Sequence, residues 1–250
     1  MAETVYPGPV SDLSAVREAT CIHTKKIFDS CQSKDCIEDL RLYPTQSSQP
    51  IIDQALSVKA GRARLLYTLV NVEPMGLNRG FFTVDLRYYY KITCDAFTGC
   101  TRPMQISGLA VFDKRAILFG SESTAKSFSS MTGCPELTED MVLTNDLPTA
   151  VVEAVDPIIL SMRLCNVCER PMCGECALTE VPAAIQAAFD EPISLENNTV
   201  RRIYLSLGQF SILRMERDAH LLIPVYDYCM PDKECPGVAS DEDPCLLFSR

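Results

Sequence analysis

The chain has 250 residues, 47% apolar and 22% charged, with 33 acidic against 23 basic residues and a net charge of −10. That balance excludes a disordered or collagen-like polymer, and the length allows one large core or two small ones. Basic residues cluster only as the dipeptides Lys25-Lys26 and Arg201-Arg202, which argues against nucleic acid or an anionic membrane as partner, because phosphate binding depends on massed Lys and Arg.

Residues 1–20, MAETVYPGPVSDLSAVREAT, read as an extended N-terminal arm, either frayed or exchanged with a neighbouring subunit. They lack the basic n-region and apolar h-region of an export signal. No apolar run reaches the roughly 20 residues that span a bilayer, so synthesis in the cytoplasm without membrane insertion is expected. Residues 21–50 form a cysteine-rich segment, in which Ser33 is placed to cap a short helix containing CIEDLRLY.

Residues 51–250 read as a β-rich core, with a division into two subdomains allowed near 135–150. FFTVDLRYYYKITC alternates Phe82, Val84, Leu86, Tyr88, Tyr90 and Ile92 with a wetter face that includes Phe81, Asp85, Arg87 and Tyr89. VKAGRARLLYTLVNVEP has the same character, and PMGLNRG between them supplies a turn, so the two are expected to pair antiparallel. ISGLAVFDKRAILFG reads as a hairpin turning at Asp113 and Lys114. DPIILSMRLC and RRIYLSLGQFSILRMERDAHLLIPVYDYC supply three more strands, the last two joined around Glu216 to Asp218. Helix is expected only near Pro135 to Asp146 and in VPAAIQAAFD, where Pro182 suits a first turn. The fold class is mainly β: an antiparallel sandwich or barrel-like core with short helical insertions.

Thirteen cysteines are unusual for a reducing cytosol, unless they hold metal or the protein is oxidised later. They fall into four groups: Cys21, Cys31 and Cys36; Cys94, Cys100 and Cys134; Cys165, Cys168, Cys173 and Cys176; and Cys229, Cys235 and Cys245. Three groups are odd in number and so is the total, which requires bridges between groups or between chains if the protein oxidises. In CNVCERPMCGEC, Cys165, Cys168, Cys173 and Cys176 have the knuckle pattern of a zinc tetrahedron, yet only four residues separate the knuckles where zinc ribbons use about 15–20. Part of the run also matches an iron–sulfur spacing, in surroundings that do not suit one. Disulfides are the favoured reading and zinc is the alternative. Cys94 and Cys100 flank DAFTG, and Cys229 and Cys235 flank MPDKE; each pair can close a local bridge or face a neighbouring chain.

Catalysis has little support. His23 and His220 are the only imidazoles, and no nucleophile elbow, phosphate loop or zincin motif accompanies them. His220 sits in a strand pattern as a structural residue, and His23 near Cys21 is a weak candidate for Cys–His chemistry. A thioredoxin-type site would need a βαβ context that these strands do not offer. The expectation is a protein that is not an enzyme and has no resident cofactor.

CIHTKKIFDSCQSKDCIEDLRLYPT at 21–45 and RDAHLLIPVYDYCMPDKEC at 217–235, with NRGFFTVDLRYYYKI between them, together resemble a family of cysteine-rich spore-surface proteins of clostridia, from the exosporium or coat. The resemblance runs over most of the chain from residue 21. It implies synthesis in the mother-cell cytoplasm, deposition on the forming spore, and oxidation into a self-assembled, disulfide-cross-linked two-dimensional lattice. Its partners would be further copies of itself and other spore-surface proteins. The competing reading is a cytosolic zinc-binding or adaptor protein built on Cys165, Cys168, Cys173 and Cys176.

Overall fold

A computed structural model describes residues 18–99, 102–122, 147–167, 178–196 and 199–225. Among these are eight strands, β1 (Glu18–Arg41), β2 (Tyr43–Pro44), β3 (Ser57–Pro74), β4 (Phe81–Phe97), β5 (Met104–Phe119), β6 (Thr149–Ala154), β7 (Ile158–Asn166) and β8 (Arg201–Val225), with short helices α1 (Ser48–Gln54) and α2 (Ala183–Gln186).

β4 organises one sheet. It is rich in aromatic and β-branched residues, and its strict period of two turns every even side chain from Phe82 to Ala96 to one buried face. β3 and β5 flank it antiparallel, with Pro74 opposite Phe82 and Ala96 opposite Met104, and β2 adds to β5, giving the order β2-β5-β4-β3. The expected pairing of the segments around 57–74 and 81–97 is what the structure contains. The second sheet is built on β8, which pairs with β1 on one flank; on the other it pairs with β7 along Arg201 to Gly208 and with β6 along Ser211 to Glu216.

The inner faces of β4 and β8 make a sandwich core. Ile203, Leu205, Leu207, Leu213 and Met215 of β8 join Val84, Leu86, Tyr88, Tyr90 and Ile92 of β4 in one apolar cluster. Two polar residues of β8 are drawn in with them. Ser211 accepts a hydrogen bond from the Tyr88 hydroxyl at 3.3 Å, and the Gln209 amide donates to the carbonyls of Val155 and Phe210 at 2.9 and 2.7 Å. Burial without such partners would cost about 1–3 kcal/mol for each polar group.

A smaller core covers the other face of β4 and β5. Segment 178–196, which includes α2, packs Ile185, Phe189 and Ile193 on Tyr43, Tyr89 and Leu109. Polar ties hold it there: the Leu178 amide donates to the Tyr43 hydroxyl at 3.0 Å, and Lys91 Nζ donates to the Ala188 carbonyl at 2.7 Å. Tyr89 is therefore buried rather than on a wet face, because its cover comes from residues about a hundred positions away. Pro182, expected in the first turn, stands one position earlier, at the N-cap of α2, and makes no side-chain capping hydrogen bond.

Three further expectations are corrected. CIEDLRLY is strand, not helix, and Ser33 caps nothing helical: its hydroxyl donates to Asp35 at 2.8 Å within β1. Asp113 and Lys114 are not a turn; β5 runs straight through them. Glu216 to Asp218 likewise lie inside the single strand β8, so the two strands expected there are one. The helix expected at Pro135 to Asp146, and residues 1–17 of the arm, lie outside the described residues; residues 18–20 are strand.

By its contacts the chain divides into two units. Residues 25–217 contain both apolar clusters, drawn from either side of the 135–150 region. The other unit comprises 1–24 with 218–250, of which 18–24 and 218–225 are described.

Two glycines of strands test this packing. A Cβ on Gly108 would fall 2.6 Å from the Tyr43 carbonyl and 2.9 Å from Pro44 Cα, where β2 presses on β5. At Gly208 the nearest atom would be Leu160 Cδ2, at 3.6 Å. Gly108→Ala is expected to destabilise by about 1–3 kcal/mol through overpacking, whereas Gly208→Ala should be neutral or mildly stabilising. Urea unfolding midpoints of the two variants check this.

Candidate assembly surface

The odd residues of β4 beyond the cover of α2 face outward, and the β4–β5 register decides what stands beside them. Arg87 is opposite Asp113 and Asp85 is opposite Arg115. Each makes a two-pronged ion pair, Arg87 with Asp113 at 2.6 and 2.8 Å and Arg115 with Asp85 at 2.6 and 3.0 Å. The two rows have opposite polarity, so four charges form a checkerboard with no net charge. The Arg115 hydrogen bond holds the Asp85 carboxyl below its ordinary range, and the Asp113 hydrogen bond raises the Arg87 guanidinium. Leu69 and Asn71 of β3 line the same shallow groove. Apolar groups stand further along the sheet: Tyr67 and Ile117 are more than half exposed, and Phe81 meets Phe119 edge-on at 5.3 Å.

Residues 25–217 carry a second charged array on the other sheet. Lys25 of β1 lies 3.2 Å from Glu216 of β8, Arg214 lies 3.5 Å from the same carboxylate, and Arg214 also pairs with Glu153 of β6. The hydrogen bond to Glu153 raises the Arg214 guanidinium. These links tie three strands side by side across one face.

β1 lies at the edge of its sheet. An open edge invites pairing with other chains, and charged side chains restrain it. Here Lys114 of β5 binds Asp35 at 2.6 and 2.8 Å and also Ser33, while Asp29 accepts from the Phe119 amide at 3.0 Å. These contacts fasten β1 to β5 by its acidic side chains. Cys31 and Cys36 on the same stretch are exposed, as is Cys21 nearer its start.

The remaining thiols separate by environment. Cys94 is on the inner face of β4, 1% exposed, and burial first, with the charge of Asp95 second, pushes its thiol up to about 12. The thiolate is the reactive form, so this group is inert at neutral pH. Cys165, near the end of β7 opposite Arg202, is half-buried. Cys100, Cys134, Cys168, Cys173, Cys176, Cys229, Cys235 and Cys245 lie outside the described residues, so of the zinc alternative only Cys165 is placed. Among the described residues no group of three or more His, Cys, Asp or Glu side chains converges as a metal site. His23 and His220, which the sequence treats separately, are in ring contact at 5.0 Å. Only the pairing of β1 with β8 reveals this, since 196 residues lie between them in the chain.

The chain is similar to exosporium protein A of Clostridium sporogenes (strain ATCC 15579), 23% identical over 249 residues that cover 92% of this chain and 71% of that protein. No protein-family model matches the chain, and no solved structure does.

Two outcomes follow from this geometry. Under native conditions iodoacetamide should label Cys31 and Cys36 and leave Cys94 untouched until the protein is unfolded, as read by peptide mass spectrometry. Asp85, whose folded value is depressed, contributes stability that is present above the ordinary carboxylate value of about 3.9 and is lost as pH falls through the folded value. In Arg115→Gln its titration midpoint, followed by carboxyl carbon NMR, should rise to about that ordinary value.

Proposed function

We propose that this chain is a structural protein of the bacterial endospore surface, which assembles with copies of itself and is then locked by disulfides between chains. The observation that carries the reading is the similarity to an exosporium protein along 92% of the chain. The exposed thiols on an edge strand support the cross-linking step.

Assembly has two stages. Noncovalent contacts first set the geometry, because a disulfide forms only where two Cα atoms already stand about 4.4–6.8 Å apart. The checkerboard of Asp85, Arg87, Asp113 and Arg115 suits that task. Turned over about an axis parallel to the strands, a second copy presents each charge to one of opposite sign, so the face is complementary to itself. Pairs already satisfied within one chain add orientation more than affinity. Oxidation then joins exposed cysteines, each bridge adding about 2–4 kcal/mol if it behaves as an ordinary one. Among the described residues the apolar core of β4 and β8 holds residues 25–217 together without a bridge, which leaves the exposed thiols to join chains in this reading.

The purified protein, concentrated and oxidised, is expected to form sheets, tubes or rings by negative-stain electron microscopy and a covalent ladder on non-reducing gels. Cys31→Ser with Cys36→Ser should shorten the ladder while leaving the circular-dichroism spectrum intact. Strictly monomeric protein under these conditions contradicts the reading.

A further inference from the structure

The chain has two histidines, and the fold puts them together. His23 on β1 and His220 on β8 belong to the same contact unit, both are exposed, and their ring centroids are 5.0 Å apart with the planes tilted by 52°. We propose that this pair is a two-imidazole chelate for a divalent transition-metal ion of the zinc, nickel or copper type.

The separation is what carries the argument. An imidazole nitrogen binds zinc at about 2.0–2.1 Å, which puts the metal about 3.2 Å from each ring centroid along the nitrogen direction. Two such rings with centroids 5.0 Å apart subtend about 100° at a shared ion, close to the tetrahedral value that zinc adopts. Flat stacking of two rings would instead bring the planes parallel, and these are not. Neutral imidazole is a ligand suited to zinc, copper and nickel and poorly suited to calcium or magnesium.

Strand alternation sets what else shares the face. Cys21 precedes His23 by two positions on β1, and Asp218 precedes His220 by two on β8; both are exposed. Successive same-face residues on a strand stand about 6.6 Å apart, and neither closes a three-ligand group with the histidines. Among the described residues the site therefore has two protein ligands, which leaves positions for water or for a further donor. Such a site is accessible and reversible, unlike a closed structural zinc centre. Metal ligands must be deprotonated, so binding at such a site competes with protons.

The test uses the full-length chain with its reactive thiols alkylated under native conditions, which removes cysteine as a competing ligand. Zinc chloride is titrated while the two histidines are followed by their ring-proton NMR signals. The expected result is that both sets of signals move together and saturate at one zinc per chain. Loss of even an outer-shell partner commonly costs about 10–100-fold in metal affinity, so His23→Gln and His220→Gln should each weaken binding by at least about tenfold. Rings that respond with separate affinities, or a single variant that binds zinc as tightly as the parent, would overturn the proposal. The parent titration decides the matter by itself should either variant fail to fold.

Discussion

Almost every feature of residues 25–217 depends on the contact between the inner faces of β4 and β8. β4 offers Val84, Leu86, Tyr88, Tyr90 and Ile92, and β8 answers with Ile203, Leu205, Leu207, Leu213 and Met215. Burying a side chain of this size is worth about 1.5–3 kcal/mol, and the conformational entropy of ordering the chain offsets most of the total. The tyrosines add direction to an otherwise non-directional force. Tyr88 and Tyr90 stack with parallel rings, and the Tyr88 hydroxyl is fixed on Ser211. Burial raises both phenols above their ordinary values, so they stay neutral in the core.

Beyond the cover of segment 178–196, the outer face of β4 and β5 carries charge beside its exposed apolar groups, and register arranges that charge into pairs. The same β4–β5 alignment that buries Tyr88 and Tyr90 sets Arg87 beside Asp113 and Asp85 beside Arg115. On the other sheet Arg214 stands opposite Val151 and reaches diagonally to Glu153, and Lys25 on β1 reaches Glu216. A chain with a net charge of −10 would repel its own copies over a Debye length of about 8 Å at physiological salt. A locally neutral checkerboard is a place where two copies can approach without that penalty. The cysteines divide in the same way, since the inward thiol is chemically silent and those on the edge strand are exposed.

The sequence revealed what depends on local pattern and hid what depends on distant partners. The strict alternation of β4 and the PMGLNRG turn were enough to identify the β3–β4 pair. Asp113, Lys114 and Glu216 looked like turn residues because charges inside strands are uncommon, yet each has a counterion on another strand: Arg87, Asp35 and Lys25. The helix expected in CIEDLRLY has a different cause. Asp39 adopts a left-handed backbone with φ of 55° inside β1. An irregularity of that kind breaks the alternation of a strand, and burial then runs continuously from Arg41 to Thr45 instead of alternating, so no period of two marks the segment. The surface shared by β4 and β5 was hidden by reading Asp113 and Lys114 as a turn, which would fold β5 back on itself, and the meeting of His23 with His220 has no local signature because it needs strands far apart in the chain.

In the proposed assembly the edge strand joins chains while the buried thiol does not. This division is tested most directly by mixing isotopically light and heavy protein, oxidising the assembled material and mapping disulfide-linked peptides by mass spectrometry. Mixed light–heavy bridges that include Cys31 or Cys36 are expected, with Cys94 recovered as a free thiol. Bridges found only within single chains, or Cys94 recovered in a cross-link from folded protein, would contradict it.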